Sequence, residues 1–418
     1  MIVLSNIRTE KRNGQRLLVC DIEHNVCQWQ ERTMWFSVPE QCGDMLADGA
    51  YDSFLVALLF PAMVLGEDVT VAGDVSKRLL FSIQNYVKPF IKMYCQQSRD
   101  INVWARNMTE RRNESAVHIG TGYSGGVDSL CTIYEHSEVE KTKGYSIDTL
   151  IFLNTGSHGQ WSNPGTWSKF HARFDYLKKY AMLPFVPCDS NIHAFHEFLP
   201  NSHQKTVSFT NAAGILALGN YFRRYYVASS LSYAESVMFG MRRLNICTEA
   251  FDSILLPLLS TETVELIADG QQYTRSQKTE RIAGWSLAQK SLNVCVNQRA
   301  EGARNCSCCS KCLRTLMALD SMDRLQEFSG VFDLDIYRRH RFSYRCRQRV
   351  LYRKDGFAKD NVDFARANGK RLPPYPLALL VSAPSLMLGR VARRVLGDRM
   401  YESLRKRIKG AGSADRAC

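Results

Sequence analysis

A glycine-containing segment near residue 125 carries residue types suited to binding phosphate. It reads Gly122-Tyr123-Ser124-Gly125-Gly126-Val127-Asp128-Ser129. Gly125 and Gly126 let the backbone approach a ligand closely, and amides at a helix N-terminus can point at an anion. Ser124 and Ser129 add hydroxyl donors, and the Asp128 carboxylate suits a Mg²⁺ ion that bridges phosphates. The segment lacks the Gly-Lys-Ser/Thr ending of the common ATP-binding P-loop.

A second group of reactive residues is a cysteine cluster. Five of the 14 cysteines lie between Cys295 and Cys312. A Cys-x2-Cys pair directs two thiolates at one ion, and four thiolates complete a tetrahedral Zn²⁺ site. Cys308 is an alternative ligand to Cys309, but Cys309 gives two consecutive Cys-x2-Cys steps. The spacing therefore predicts zinc bound by Cys295, Cys306, Cys309 and Cys312.

Strands and helices alternate around the glycine segment, and this alternation predicts its setting. The predicted elements are a strand at Ala116–Tyr123, a helix at about Val127–His136, a strand at Thr149–Asn154, a helix at Thr166–Met182 and a strand at Leu183–Asp189. Such alternation predicts an α/β fold with a doubly wound parallel sheet. Ligands bind beyond the carboxyl ends of the strands in these sheets, so Asn154 is predicted to contact the nucleotide.

Composition shifts along the chain predict three segments. Residues 1–113 form an N-terminal α/β cap domain, residues 114–322 the glycine-segment domain with the cysteine cluster, and residues 323–418 a basic helical extension. The first segment contains predicted hairpin strands at Arg16–Glu23 and Thr33–Val38 but no catalytic constellation. Asn211–Leu231, rich in alanine and aromatic residues, is predicted to form one long buried helix.

The positive charge is confined to the end of the chain. Residues 331–418 contain 21 Lys and Arg against 8 Asp and Glu and so hold the whole net charge of +13. The neutral remainder does not favour a nucleic-acid surface, whereas the extension can contact an anionic surface, an acidic partner or its own body. Met1–Arg12 lacks the apolar run of a signal peptide, and four prolines interrupt Leu372–Gly389. These features favour a cytoplasmic protein without a spanning helix.

The sequence Ser-Gly-Gly-Val-Asp-Ser at 124–129 resembles the pyrophosphate (PP) loop of the N-type ATP pyrophosphatases. Together with the downstream cysteines, the region Ala116–Leu319 is similar to the 7-cyano-7-deazaguanine synthase family. The resemblance implies that Mg²⁺-bound ATP is cleaved between its α and β phosphates. It implies nucleotide contacts from Ser124 to Ser129, with Ser124, Asp128 and Ser129 as catalytic residues. Phe152–Gly159 does not reproduce the corresponding loop of that family, so the resemblance does not define the substrate.

The chemistry implied by this resemblance is ATP-dependent formation of a C–N bond. A carboxylate or carbonyl oxygen of a small-molecule substrate is adenylated, pyrophosphate leaves, and a nitrogen nucleophile then displaces AMP. Cys20 and Cys27 lack the flanking signature of a glutamine amidotransferase, so ammonia or an amine is the expected nucleophile. Two alternatives are an RNA thiolation or lysidine-type enzyme, with RNA held by the basic extension, and a non-catalytic nucleotide-binding scaffold.

Overall fold

The computed structural model describes residues 1–110, 112–158, 165–242, 247–295 and 305–383. Its contacts divide the chain into two units, Met1–Thr274 and Arg275–Cys418. This division differs from the three segments predicted from the sequence, 1–113, 114–322 and 323–418. Strands from the first two predicted segments hydrogen-bond in one sheet, and this pairing merges them into a single unit.

The first unit is built on a ten-stranded sheet in the order β10-β9-β6-β7-β8-β3-β2-β1-β4-β5. Most neighbouring strands are parallel, so the predicted α/β class with a largely parallel sheet is confirmed. The strands are β1 (Ile2–Arg12), β2 (Gln15–Glu23), β3 (Thr33–Pro39), β4 (Val69–Ser76), β5 (Val103–Thr109), β6 (His118–Gly122), β7 (Thr149–Leu153), β8 (Phe185–Ser190), β9 (Phe222–Ala228) and β10 (Glu265–Asp269).

Helices occur in both units, and the second unit has no strand in its described part. The helices of the first unit are α1 (Asp52–Leu65), α2 (Lys77–Ser82), α3 (Lys88–Tyr94), α4 (Val127–Tyr134), α5 (Gly165–Lys178), α6 (Ser202–Leu216), α7 (Tyr233–Arg242) and α8 (Asp252–Leu258). Those of the second unit are α9 (Arg275–Ala283), α10 (Ser286–Ser291), α11 (Ser310–Ser321), α12 (Leu334–Leu351) and α13 (Gly356–Ala367).

The five strands β6 to β10 are parallel, and their order reverses at β6. The chain runs from β6 to β7 and β8 on one side, and later to β9 and β10 on the other. In sheets of this order, ligands bind in the crevice outside the carboxyl ends of the strands where the order reverses. The segment after β6, which contains Ser124–Ser129, begins at that point.

The N-terminal strands extend the same sheet through an antiparallel pairing of β3 with β8. In this pairing Phe36 is opposite Ser190, and Ser37 is opposite Asp189. Two further contacts lie beside it, one buried and one partly buried. The Trp29 indole N–H donates to the Phe195 carbonyl at 3.0 Å, and the Trp35 amide donates to Asn191 Oδ1 at 2.8 Å. The strand β8 is therefore fixed from both sides, by β7 and by β3.

The predicted long helix at Asn211–Leu231 is wrong. The helix α6 ends at Leu216, and the chain re-enters the sheet as β9 from Phe222 to Ala228. Gly219 and Asn220 stand between these elements, and both residue types favour helix termination. The aromatic and β-branched residues that follow favour a strand, and β9 pairs with β6 and β10 on either side while its aromatic side chains are buried.

The described part of the predicted basic extension is a packed part of the second unit. Helices α12 and α13 both contact α11, which follows the cysteine cluster. The buried Tyr337 hydroxyl donates to Asp320 at 2.9 Å, and the guanidinium groups of Arg341 and Arg345 contact the same carboxylate oxygen. Residues 384–418 of the extension lie outside the described residues. Among those described, no helix is long and apolar enough to cross a membrane.

The packing of β9 against β6 yields a prediction about Gly120. A Cβ atom there lies 2.4 Å from Phe222 Cε1, so Gly120→Ala overpacks the core and should lower the free energy of unfolding by about 1–3 kcal/mol in urea titrations. Gly122→Ala is the matched control on the same strand face, because its Cβ meets only the Tyr225 hydroxyl at 3.6 Å. Equal stability of the two variants would contradict this position of β9.

Candidate nucleotide site and metal centre

The loop Tyr123–Gly126 joins β6 to α4 and is held in shape by its own hydrogen bonds. Gly125 has φ +73°, a conformation that side chains with a Cβ resist. The Ser124 hydroxyl contacts Ser129 Oγ at 3.1 Å and accepts from the Gly126 amide at 3.4 Å. The Ser129 hydroxyl in turn donates to the Gly126 carbonyl at 3.1 Å. The loop conformation is therefore set by the protein chain itself.

The predicted nucleotide residues differ in what they can offer to a ligand. Ser124 is exposed, whereas Ser129 is buried beneath it and orients its hydroxyl. Asp128 is half-buried in the first turn of α4. The Val127 side chain is buried, so this residue can serve a ligand only through its backbone amide. Amides in a first helical turn carry partial positive charge and favour an anion.

A cation that the sequence reasoning missed lies beside this loop. The Arg173 guanidinium, on α5, donates to the Ser124 carbonyl at 2.6 Å. The contact spans 49 residues, and nothing in the sequence around Arg173 marks it as different from other helical arginines. Its positive charge adds to the favourable field for phosphate at the loop.

Asn154 lies at the same edge of the sheet and is tied to Asp189 at the end of β8. The Asn154 amide donates to Asp189 Oδ1 at 2.6 Å, and the same oxygen accepts from the Ser190 amide at 2.8 Å. Asn154 is only 2% exposed, and its Oδ1 has no hydrogen-bond partner among the described residues. Burial raises the pKa of the Asp189 carboxyl to about 6. A buried, unused acceptor at this edge can receive a donor group from a ligand.

Histidine side chains lie near Gly156, two residues after Asn154. Gly156 has φ +129°, and a Cβ there would lie 2.9 Å from His203 Nδ1 and 3.6 Å from His193 Cε1. Burial, reinforced by the charge of Arg173, lowers the pKa of His158 to about 3, so His158 is neutral at neutral pH. A neutral imidazole can donate and accept hydrogen bonds without adding charge.

A candidate metal centre in the second unit consists of four cysteine sulfurs. The Sγ atoms of Cys295, Cys306, Cys309 and Cys312 all lie within 4.8 Å of one another. Cys306 and Cys312 Sγ are 3.9 Å apart, close to the roughly 3.8 Å expected between sulfurs of a tetrahedral site with Zn–S bonds of about 2.3 Å. Four soft thiolates suit zinc. The structure thus brings together the four cysteines selected by spacing, with Cys309 rather than Cys308.

Asn305 positions this metal centre and was not identified from the sequence. Its Oδ1 accepts from the amides of Val294 and Cys295 at 2.8 and 3.0 Å. Its Nδ2 donates to the carbonyls of Leu292 and Val331 at 2.9 and 3.0 Å. The Asn305 side chain is buried, and both of its polar atoms are hydrogen-bonded. It therefore links the segment that carries Cys295 to the turn that follows Asn305.

Helix α11 supplies the other half of the metal centre. Cys309 is its N-cap residue and Cys312 lies in its first turn, where the helix dipole favours a thiolate. The amide of Cys309 also donates to Cys306 Sγ at 3.3 Å. Backbone donors of this kind stabilise metal-bound thiolates and orient them.

Comparisons with known proteins returned no relatives for this chain. No family model, no curated protein and no solved structure matches it at the significance required. Function is therefore inferred from this chain's own residues and contacts. The loop Tyr123–Gly126 lies in the unit Met1–Thr274, and the four-cysteine centre lies in the unit Arg275–Cys418. The two sites are therefore described separately.

The buried Asp189 yields a prediction about pH and stability. Its pKa in the fold, about 6, exceeds its ordinary value of 3.8, so ionisation of this group costs stability as pH rises through that interval. Asp189→Asn keeps the acceptor oxygen and removes the charge. We expect it to raise the free energy of unfolding by about 3 kcal/mol at pH 8, with the gain shrinking towards zero below pH 4.

The matched control for this experiment is Asp100→Asn. The hydrogen bond and charge of Lys88 lower the pKa of the exposed Asp100 carboxyl, so its ionised form is favoured in the fold. The Asn variant at this position should therefore give no gain at pH 8. Urea titrations at both pH values provide the measurement, and a pH-independent effect of Asp189→Asn would show that its carboxyl is not desolvated.

The cysteine centre yields a prediction about metal content. Protein purified without chelators should hold about one Zn²⁺ per chain by elemental analysis. Cys309→Ser should lose the metal and several degrees of melting temperature, because binding of a structural zinc contributes directly to folding. The neighbouring Cys308→Ser is the control and should keep the metal. Full zinc occupancy in the Cys309 variant would remove this residue from the ligand set.

Proposed function

We propose that this protein is an ATP-dependent ligase of the PP-loop type. The observation that carries the proposal is the loop Ser124–Ser129 at the carboxyl end of β6, where the strand order of the parallel sheet reverses. A pre-shaped loop with a left-handed glycine, two serine hydroxyls and a helix N-terminus is suited to an anionic phosphate chain. The resemblance of its sequence to the PP-loop favours cleavage between the α and β phosphates of ATP.

In this proposal the loop binds the phosphates and stabilises the charge that develops during transfer. The backbone amides in the first turn of α4 donate to phosphate oxygens, and the exposed Ser124 hydroxyl turns from Ser129 to donate to them as well. Arg173 adds positive charge beside Ser124. Asn154 accepts a hydrogen bond from the nucleoside through its unused Oδ1. Donors fixed before the reaction need no reorganisation as negative charge shifts to the leaving pyrophosphate.

Asp128 is the residue proposed to hold Mg²⁺ with the phosphates. A carboxylate next to bound phosphate is unfavourable without a cation between them, and hard oxygen ligands are those that Mg²⁺ prefers. When bound, Mg²⁺ neutralises part of the phosphate charge. The position of Asp128 in the first turn of α4, half-buried next to the loop, fits this role.

The reaction then proceeds in two steps on a small-molecule substrate. A carboxylate or carbonyl oxygen attacks the α phosphorus of ATP, and the bond to the bridging oxygen breaks to release pyrophosphate. Ammonia or an amine attacks the activated carbon, AMP leaves, and the nitrogen loses a proton. A carboxylate substrate gives an amide. A nitrile requires a second ATP, which adenylates the amide oxygen so that it leaves as AMP while the nitrogen loses its protons. The nucleotide scaffold, one alternative, differs in giving no turnover.

Zinc has a structural role in this scheme. Four cysteine sulfurs fill a tetrahedral coordination shell, which leaves no position for water or substrate. The centre joins the segments at Cys295, at Cys306 and at the start of α11 within the second unit. Its proposed contribution is therefore to fold stability rather than to ATP chemistry.

The reaction is tested by following the nucleotide products. Purified protein with Mg²⁺, ATP and a small-molecule extract of cells should convert ATP to AMP and pyrophosphate, measured by anion-exchange chromatography. Asp128→Asn and Ser124→Ala should reduce turnover by about 100-fold or more, the usual cost of losing a preorganised charge-stabilising group. Asp44→Asn, an exposed carboxylate in the same unit, is the control and should have no effect.

Two results would contradict the proposal. Release of ADP and phosphate would place the cleavage at the wrong phosphate bond. Binding of ATP without turnover in any extract, unaffected by Asp128→Asn, would favour a nucleotide-binding scaffold. Metabolite profiling of cells with the active protein and with the Asp128 variant would identify the product that depends on the reaction.

A further inference from the structure

The helical segment 375–383 of the second unit presents its large apolar side chains to solvent. Ala378 and Ser382 are its buried residues, four positions apart and therefore on one stripe of the helix. The exposed fractions are 48% for Tyr375, 43% for Leu377, 43% for Leu379 and 73% for Leu380. The small residues thus contact the protein, whereas the leucines face outward. This arrangement is the reverse of an ordinary surface helix.

A basic side chain of α12 contacts this segment, and the same side of α12 carries an exposed phenylalanine. The Arg349 guanidinium lies 6.0 Å from the centre of the Tyr375 ring, which places 375–383 against this helix. Phe342, which is exposed, lies seven residues before Arg349 and thus on the same side of α12. Exposed leucine, tyrosine and phenylalanine side chains are therefore contributed by two adjacent segments.

The surrounding surface is strongly basic. Residues 331–383 contain 12 Lys and Arg against 5 Asp and Glu. Of these acids, only Asp335 and Asp355 are exposed. Asp335 forms an ion pair with Arg338, and Asp355 accepts a hydrogen bond from the Ala358 amide. The exposed basic residues are Arg338, Arg339, Arg341, Arg347, Arg353, Lys354, Lys359, Arg366 and Arg371.

We infer that this face, formed by 375–383 and the exposed side of α12, docks on an anionic lipid bilayer. Leucine and aromatic side chains can enter the boundary between headgroups and acyl chains, while flanking arginines contact anionic headgroups. The described residues of this segment, 375–383, are fewer than a bilayer span needs, and the inference is therefore one of peripheral binding. Charge complementarity and exposed leucines together favour a membrane over a polar partner.

RNA is the main rival for a basic surface, and the leucines distinguish the two. Binding of single-stranded RNA uses positive charge and stacking on aromatic rings, and it gains nothing from exposed aliphatic side chains. Leu377, Leu379 and Leu380 form the apolar centre of this face. Insertion of such side chains into lipid contributes free energy in proportion to the apolar area buried.

The test is flotation of the full chain with lipid vesicles. The wild-type protein should float with vesicles of phosphatidylcholine that contain phosphatidylglycerol, but not with phosphatidylcholine alone, and added salt should weaken binding. Leu377→Ser combined with Leu380→Ser should lower the partition coefficient about tenfold or more. Arg338→Glu combined with Arg339→Glu, two exposed basic residues on α12, should also lower it several-fold.

Ile254→Ser is the matched control, because Ile254 is a 54% exposed apolar residue on α8 of the first unit. It should bind vesicles like the wild type. Failure to float with anionic vesicles would overturn the inference. The inference would also be overturned if the leucine variants bound vesicles normally and polyuridylate displaced the protein from the vesicles. That result would indicate an RNA-binding surface. A wild-type dimer that the leucine variants convert to monomer, by light scattering, would instead identify a second copy as the occupant.

Discussion

Hydrogen bonding of β6 on both sides is the constraint on which the candidate nucleotide site depends. Parallel pairing with β7 and with β9 fixes the carboxyl end of β6 at the reversal of strand order. The loop that follows cannot shift without breaking one of these ladders. Asn154 follows β7 and Asp189 lies at the end of β8, so the same parallel register brings them to the edge where the loop begins. The four-cysteine centre needs no such sheet, because its ligands lie within a short stretch of chain.

The features that the sequence predicted well are those encoded locally. The loop Ser124–Ser129 follows an apolar run and precedes a helix, and the structure has β6 before it and α4 after it. The cysteine spacing selects four sulfurs that the structure brings within 4.8 Å of one another. In both cases the chemistry is contained in short motifs, where residue type and separation restrict the geometry strongly.

The features that the sequence did not reveal depend on contacts between distant residues. The strand β9 follows directly on a buried helix, and its aromatic residues are compatible with either element until β6 and β10 bind it on both sides. Pairing of β3 with β8 joins segments about 150 residues apart. The hydrogen bond from Arg173 to the Ser124 carbonyl joins positions 49 residues apart in the sequence. Side chains such as Asn305 acquire their role only from the backbone groups around them. Short motifs contain no information about such partners.

The two candidate sites differ in whether their buried polar groups are hydrogen-bonded within the fold, and this difference supports separate roles for them. Every polar atom of the Asn305 side chain is hydrogen-bonded, so the metal centre has the character of a stabilising element. At the sheet edge, by contrast, a buried carboxyl with a pKa of about 6 stands next to an amide oxygen that has no partner among the described residues. Such groups reduce stability, and they are often found at functional sites. Under the proposed function, a ligand bound at the carboxyl ends of β7 and β8 would satisfy the polarity that folding leaves unpaired among the described residues.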